Sequence, residues 1–221
     1  MAVEENDVAR PRWLFATGNP HKLEEVTPIL GALGIDVFGL HQLEALGVAS
    51  PRALIEPTED ASSFVGNARI KARSYAAQTG HWCMAEDSGL EVDALDGAPG
   101  VYSARYAGAE GSRAARDRAN NERLLAAMAE VPPGQRAARF VAVMVVARPD
   151  GEVIAESRGT FEGQVATAPR GTHGFGYDPL LWLPDEGRTS AELTPAEKNE
   201  RSHRGQAVRA LAAKLADVGL K

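Results

Sequence analysis

The most informative segment of the chain reads Ala85-Glu86-Asp87-Ser88-Gly89-Leu90-Glu91-Val92-Asp93 and directly follows a short apolar run, His81 to Ala85. The run predicts a strand with Glu86 and Asp87 at its carboxyl end, where open α/β sheets usually carry their sites. Two carboxylates there could hold a divalent cation and activate a water molecule. Taken alone, the segment is equally compatible with an acidic surface turn.

Strands and helices alternate on both sides of this segment. Predicted strands cover residues 13–16, 35–40, 138–148 and 152–163, and Pro149-Asp150-Gly151 joins the last two as a hairpin. Predicted helices start at Pro20, after Ser62 or Ser63, at Arg113, after Thr194 and after Ser202. This pattern predicts an α/β domain whose sheet is partly antiparallel.

Three helices carry further local signals. Pro28 lies inside the first helix and could kink or end it early. The second should run to about Thr79, with Gly80 just past its end. In the last helix, one apolar stripe is expected from Val208, Leu211, Leu215 and Val218.

The composition is that of a globular protein with one large domain. The chain has 221 residues, of which 44% are hydrophobic and 24% charged. Its net charge of −6 argues against a protein that coats nucleic acid. No apolar run is long enough to span a membrane, and residues 1–12 lack the apolar core of a signal peptide. We therefore expect a flexible tail (1–12), a single domain (13–221), a cytoplasmic location, and neither membrane nor nucleic acid as partner.

The cysteine and histidine content limits the kinds of site. Cys83 is the single cysteine, so an internal disulfide and a cysteine-rich zinc site are excluded, and its apolar neighbours predict a buried thiol. The five histidines show no zinc-like spacing. A metal would therefore be held by oxygen ligands, and beside phosphate groups Mg²⁺ is the natural candidate. Glu59, just before a helix start, is a further possible ligand, although it could simply favour the helix dipole.

A turn between the first strand and the first helix could bind an anion. It reads Thr17-Gly18-Asn19-Pro20-His21-Lys22. Asn19 can cap the helix, Pro20 suits its first position, and the helix N-terminus and Lys22 both favour negative charge. The pattern is not a P-loop, and in isolation a capped turn with a solvated lysine is the better explanation.

Two later segments could recognise a nucleotide. Gly174-Phe175-Gly176-Tyr177-Asp178-Pro179 could present an aromatic ring to a base, or could fill space beneath a loop. Ser202-His203-Arg204 could bind a phosphate or a base carbonyl, or Ser202 could merely cap a helix. Lys198 would by itself be read as a solvated charge.

Together, these segments resemble the inosine triphosphate pyrophosphatase family, also called Ham1-like. The resemblance runs in order from about Trp13 to the end, and many collinear motifs make it specific. The motifs are residues 17–22, Phe64 with Asn67-Ala68, residues 85–90, Gly97-Ala98-Pro99-Gly100-Val101-Tyr102-Ser103-Ala104-Arg105-Tyr106, residues 174–179, Glu192-Leu193-Thr194 with Glu197-Lys198, and Ser202-His203-Arg204-Gly205. Bacterial members of this family usually have Asp-Asp where this chain has Glu86-Asp87.

The resemblance implies Mg²⁺-dependent hydrolysis of dITP, ITP and XTP or dXTP to the monophosphate and pyrophosphate. It also implies a homodimer and an elongated mixed sheet flanked by helices, with the active-site cleft between two lobes. Asp87 would be the general base and, with Glu59 and Glu86, a metal ligand. The triphosphate would be held by Thr17, Gly18, Asn19, Pro20, His21, Lys22 and Lys198, with Ser88 also contacting the substrate. The purine pocket would consist of Phe175, Gly176, Tyr177, Asp178, His203 and Arg204.

Two other functions remain open at this point. A nucleotide-binding regulatory module would need the lysines and aromatic residues but not Glu86-Asp87, and the intact acidic pair weighs against it. Alternatively, the chain could be a related pyrophosphatase that acts on modified pyrimidine nucleotides. The Ser202-His203-Arg204 segment favours the purine substrate.

Overall fold

A seven-stranded mixed sheet forms the centre of the molecule, which a computed structural model describes for residues 10–48 and 54–217. The strands are β1 (Arg12–Phe15), β2 (Asp36–Gly39), β3 (Cys83–Val92), β4 (Ala137–Ala147), β5 (Val153–Val165), β6 (Leu181–Leu183) and β7 (Arg188–Thr189). Their order across the sheet is β2-β1-β3-β4-β5-β6-β7. Strand β1 is parallel to β2 and β3, and the other neighbours are antiparallel. The predicted mixed α/β fold is confirmed.

Helices cover both faces of the sheet. They are α1 (Pro20–Gly31), α2 (Leu43–Leu46), α3 (Phe64–Thr79), α4 (Arg113–Ala127), α5 (Pro195–Arg201) and α6 (His203–Asp217). Met84 of β3 packs with Leu30 of α1 and Leu211 of α6, whereas its neighbour Ala85 packs with Ala72 of α3. Alternate residues of a strand point to opposite faces, so α1 and α6 lie on one face and α3 on the other. A third buried cluster at the far end of β3 includes side chains from α4. The two lobes stay a prediction.

Strand β3 differs from its prediction in a way that matters for the site. The strand was expected to end at Ala85, but it continues to Val92, paired with β4 along its whole length. Glu86 and Asp87 are therefore in the middle of a strand and not at its carboxyl end, so that prediction was wrong. The apolar run stops at Ala85, but backbone hydrogen bonding to β4 does not depend on apolar side chains. As successive strand residues, Glu86 and Asp87 point to opposite faces.

The other edge of β3 is open where the acidic residues lie. Strand β1 pairs with β3 only through Leu14 and Phe15, opposite Cys83 and Met84. Within residues 10–48 and 54–217, no strand lies beside Glu86, Asp87 or Ser88 on that side. At this edge, groups on the two faces of the sheet are therefore not separated by a neighbouring strand.

Predicted caps set the starts of three helices. The Asn19 side chain accepts a hydrogen bond from the backbone N–H of His21, and Ser63 does the same for Gly66. Thr194 and Glu197 form the expected capping box. Helix α1 continues past Pro28 to Gly31, so the break considered there does not occur.

The last helix carries its apolar stripe as expected. Val208, Leu211 and Leu215 of α6 are buried, while Val218, the predicted fourth member, lies outside the described residues. Cys83 is buried, as predicted. No helix in the described part of the chain is both long and apolar enough to cross a membrane.

Candidate active site

A cavity of about 140 Å³ opens on the α1 and α6 side of β3. Of the residues predicted for the site, those that line the cavity are Lys22, Ser88, Phe175, Gly176, Tyr177, Asp178, Lys198, His203 and Arg204. They come from α1, β3, the 171–179 loop, α5 and α6, so the fold brings together five segments that are far apart in sequence.

Four buried or partly buried charges support one wall of this cavity. Arg204 donates to both carboxylate oxygens of Glu86, at 2.7 and 2.9 Å, and its third nitrogen donates to Glu25 at 2.5 Å. Lys22 Nζ lies 3.2 Å from Glu86 Oε1 and 3.3 Å from Ser88 Oγ. The network joins α1, β3 and α6, and its two cations balance its two carboxylates.

The charge states of this network follow from burial and pairing. Burial would raise the pKa of Glu86, but the adjacent Arg204 and Lys22 outweigh it and hold that pKa well below the ordinary value. Burial lowers the pKa of Lys22, with Glu86 opposing the change. Glu86 is thus an anion whose two oxygens are already occupied by Arg204.

Asp87 faces the opposite side of β3 and meets helix α3. Its Oδ2 accepts a hydrogen bond from Asn67 Nδ2 at 3.1 Å, and its Oδ1 lies 3.6 Å from Lys71 Nζ. Lys71 also donates to Glu59 Oε2 at 2.9 Å. Burial raises the pKa of Asp87, Lys71 and Asn67 oppose this, and Glu59 adds to it. A carboxylate with a raised pKa beside a second acid is typical of a group that exchanges protons.

Lys71 and Asn67 are the site residues that the sequence reasoning missed. Asn67 appeared in a family motif without a role, and Lys71 was not considered. A signal was available, because the Ser63 cap fixes the helix start and residues 67 and 71 are one turn apart on the same face. What the sequence did not show is that this face points to Asp87.

The 171–179 loop is held by its own polar residues. Asp178 accepts hydrogen bonds from the Phe175 N–H at 2.7 Å, Ser190 Oγ at 2.8 Å and Lys198 Nζ at 2.5 Å. Tyr177 is buried and donates its hydroxyl to the Ser103 carbonyl at 2.8 Å. Both residues, predicted to contact a purine, are used here to fix the loop that presents Phe175.

His203 lines the cavity and has one buried ring nitrogen without a partner among the described residues. Its ring stacks on Phe140 with centroids 5.0 Å apart, and its buried Nδ1 has no hydrogen-bond partner among the described residues. Burial lowers its pKa well below the ordinary value, and the neighbouring Arg204 adds to the effect. His203 is therefore a neutral ring that lines the cavity.

Of residues 17–22, only Lys22 lines the cavity. The others border the site. Thr17 is buried, and its Oγ1 accepts from the Asn19 N–H at 3.1 Å. His21 stacks against Phe175 at a centroid distance of 6.4 Å and lines a neighbouring groove. Asn19 and Pro20 serve as the cap and first residue of α1, and Gly18 precedes them.

The three proposed metal ligands do not lie together. Glu59 and Asp87 both contact the Lys71 ammonium group, so these two carboxylates lie close enough together to share one cation. Their oxygens are the ligands that Mg²⁺ prefers. Glu86 lies on the other face with both oxygens bound to Arg204. Among the described residues, no group of three or more His, Cys, Asp or Glu side chains forms a ready metal site.

Comparison with known proteins shows similarity over nearly the whole chain. The model of the Ham1 family matches residues 13–214. A dITP/XTP pyrophosphatase of Exiguobacterium sibiricum is 47% identical over 202 residues, which are 91% of this chain and 96% of that protein. A second one, from Corynebacterium glutamicum (strain R), is 47% identical over 209 residues, 93% of this chain and 97% of that protein. The solved structure of a HAM1 protein from Coxiella burnetii superposes with a TM-score of 0.81 at 36% identity, covering 94% of this chain and 99% of that one.

Proposed function

The chain belongs to the Ham1 family, and from this membership and the site geometry we propose that it hydrolyses non-canonical purine nucleoside triphosphates, dITP, ITP and XTP or dXTP, to the monophosphate and pyrophosphate. The observation that carries the proposal is the distribution of the site residues between the two faces of β3. One face offers a cation-lined cavity with an aromatic ring, and the other offers Asp87 with Lys71 and Glu59. In this proposal, the base would bind on one side of the open edge of β3 and hydrolysis would take place on the other.

The triphosphate would cross this edge. Lys22 and Lys71 are close enough to Asp87 for each to lower its pKa, so both ammonium groups act on the same small region. Lys22, Ser88 and Lys198 approach from the cavity side, and Lys71 from the α3 side. Neutralising the charge that develops on the leaving pyrophosphate is the largest electrostatic task of such a reaction.

Asp87 would act as the general base on the attacking water. Asn67 holds one of its oxygens, which leaves the other directed toward Lys71 and available to accept a proton. Its raised pKa suits that role, because a stronger base takes a proton more readily near neutral pH.

Mg²⁺ would be held by Glu59 and Asp87, whose oxygens suit it, and by the phosphates of the substrate. When bound, it would favour the hydroxide form of a water and neutralise phosphate charge. Glu86 keeps a different role in this proposal: it fixes Arg204 and Lys22.

Phe175 would stack on the base, and the His203 ring would bind the edge of the base. All three guanidinium nitrogens of Arg204 donate to Glu86 or Glu25, so Arg204 would read the base less directly than His203. Of the two functions left open by the sequence, the regulatory module has no use for the Asp87–Lys71–Glu59 centre.

The test is pyrophosphate release by wild type and Asp87→Asn from ITP, XTP, ATP and a modified pyrimidine triphosphate. We expect wild type to prefer ITP and XTP, and Asp87→Asn to lower kcat on the order of a hundredfold or more, because an amide cannot accept the proton. Glu91→Gln, which changes a partly exposed carboxylate on the same strand, is the matched control and should keep full activity. Equal turnover of ATP, or full activity of Asp87→Asn, contradicts the proposal.

We also propose that the enzyme is a cytoplasmic homodimer, as the family resemblance implies. Light scattering coupled to gel filtration measures the assembly directly, and a monomer at micromolar concentration would contradict it.

A further inference from the structure

One face of helix α4 is directed at the 171–179 loop. Arg113, Asp117 and Asn121 are four residues apart and therefore share that face. Asp117 Oδ2 accepts from the Gly176 N–H at 3.0 Å, and Asn121 Nδ2 donates to the Gly176 carbonyl at 3.0 Å. Helix α4 thus holds both sides of the residue that follows Phe175 and places the backbone of Arg113 beside that loop.

Arg113 covers the ring that would stack on the base. Its guanidinium lies 4.4 Å from the centroid of Phe175, and both side chains line the cavity. Guanidinium groups favour the faces of aromatic rings because the ring's electron density attracts the cation.

Arg113 is also paired less closely with carboxylates than the other cations of the cavity. Lys22 is bound by Glu86, Lys198 by Asp178, and Arg204 by two carboxylates. Arg113 makes no hydrogen bond within residues 10–48 and 54–217, and its nearest carboxylate, Asp117, is 3.8 Å away. Its side chain is 43% exposed, so it can move without breaking a buried contact.

We propose that Arg113 is a substrate-binding residue that closes over the outer face of the bound base and makes the enzyme favour xanthine over hypoxanthine nucleotides. The inference rests on the proposed function. A base that stacks on Phe175 takes the place now held by the guanidinium, which then lies against the other face of the base. Phe175, base and Arg113 form a three-layer stack.

The preference follows from the charge of the base. Xanthine has a second carbonyl group and loses a ring proton near neutral pH, so its nucleotides carry a partly anionic base. Hypoxanthine nucleotides have a neutral base under the same conditions. A guanidinium stacked on the base attracts both through the ring electrons, and attracts the anionic one through its full charge as well.

The experiment compares kcat/KM for XTP and ITP in wild type, Arg113→Gln and Arg116→Gln. Arg116 is the matched control, since it lies on the same helix and donates to the Gly111 carbonyl away from the cavity. We expect Arg113→Gln to lower the value for XTP on the order of tenfold and the value for ITP about two- to threefold, mostly through KM. Arg116→Gln should leave the ratio of the two values unchanged.

Arg113→Lys separates charge from packing. It keeps the cation but not the planar group, so it should recover part of the lost XTP preference. An unchanged ratio in Arg113→Gln, an equal change in Arg116→Gln, or no recovery in Arg113→Lys overturns the proposal.

Failure of the proposed function gives a different result. In that case wild type releases no pyrophosphate from either nucleotide. The inference is then decided by calorimetric Kd values for XTP and ITP, which need no turnover: a selective loss of XTP affinity in Arg113→Gln supports it, and equal affinities overturn it.

Discussion

Replacing Glu86 by Gln should destabilise the protein by about 3 kcal/mol. Removing one partner of a buried ion pair typically costs about 3–5 kcal/mol, because the remaining charge is left uncompensated. Glu86 is 3% exposed and bonds Arg204 through both oxygens, with Lys22 at 3.2 Å. Glutamine keeps one acceptor, and Glu25 still compensates Arg204, so the lower end of the range applies.

Urea unfolding followed by circular dichroism measures this change. For a chain of this length, 3 kcal/mol corresponds to a Tm lower by about 6–12 °C. The control is Glu156→Gln, which removes the partner of the half-exposed Arg69 and should cost less than about 1 kcal/mol. A change below about 0.5 kcal/mol for Glu86→Gln, with an unaltered m-value, would refute the reasoning. Glu86 would then be free for another task, such as binding a metal.

Three further predictions concern other residues of the site. Lys71→Met should lower kcat and move the acidic limb of the kcat/KM–pH profile to higher pH, because Lys71 now lowers the pKa of Asp87; an unmoved limb contradicts this. Lys198→Met should weaken nucleotide binding on the order of tenfold in calorimetry, since it removes a cation and leaves the Asp178 carboxylate uncompensated. The free energy of unfolding should decrease as the pH falls below about 6.5, because the lowered pKa of folded His203 means that the unfolded chain takes up the proton first. In urea titrations at several pH values, His203→Gln should flatten this slope between about pH 6.5 and pH 5, above the ordinary pKa values of carboxylates.

Local sequence signals predicted the elements well. Asn19, Ser63 and the Thr194–Glu197 capping box each fix a helix start through a side chain that bonds a backbone N–H only a few residues away. Such contacts need no information from the rest of the chain. The β4–β5 hairpin was predicted for the same reason, since its turn residues are adjacent in sequence.

The predictions were wrong or incomplete where a residue's role depends on a contact with a residue distant in sequence. Strand β3 extends beyond Ala85 because β4, some fifty residues later, supplies hydrogen bonds to Val92. Lys71 was missed because its meaning depends on Asp87, which lies across the α3–β3 interface. The same limitation applies to Arg113, which gains its significance from Phe175.

The sequence by itself determined the chemical groups of the site and the elements that carry them. It contained Asp87 with Glu59, the lysines, the aromatic loop and the Ser202-His203-Arg204 segment, and their order identified a family. Only the tertiary structure decided how these groups divide between the two faces of β3. Glu86 and Asp87 are neighbours in sequence, but the alternation of a strand sends one to Arg204 and the other to Lys71. The two residues alternate in this way because β3 pairs with β4 at their positions. This pairing joins segments distant in sequence, so a local sequence pattern does not predict it.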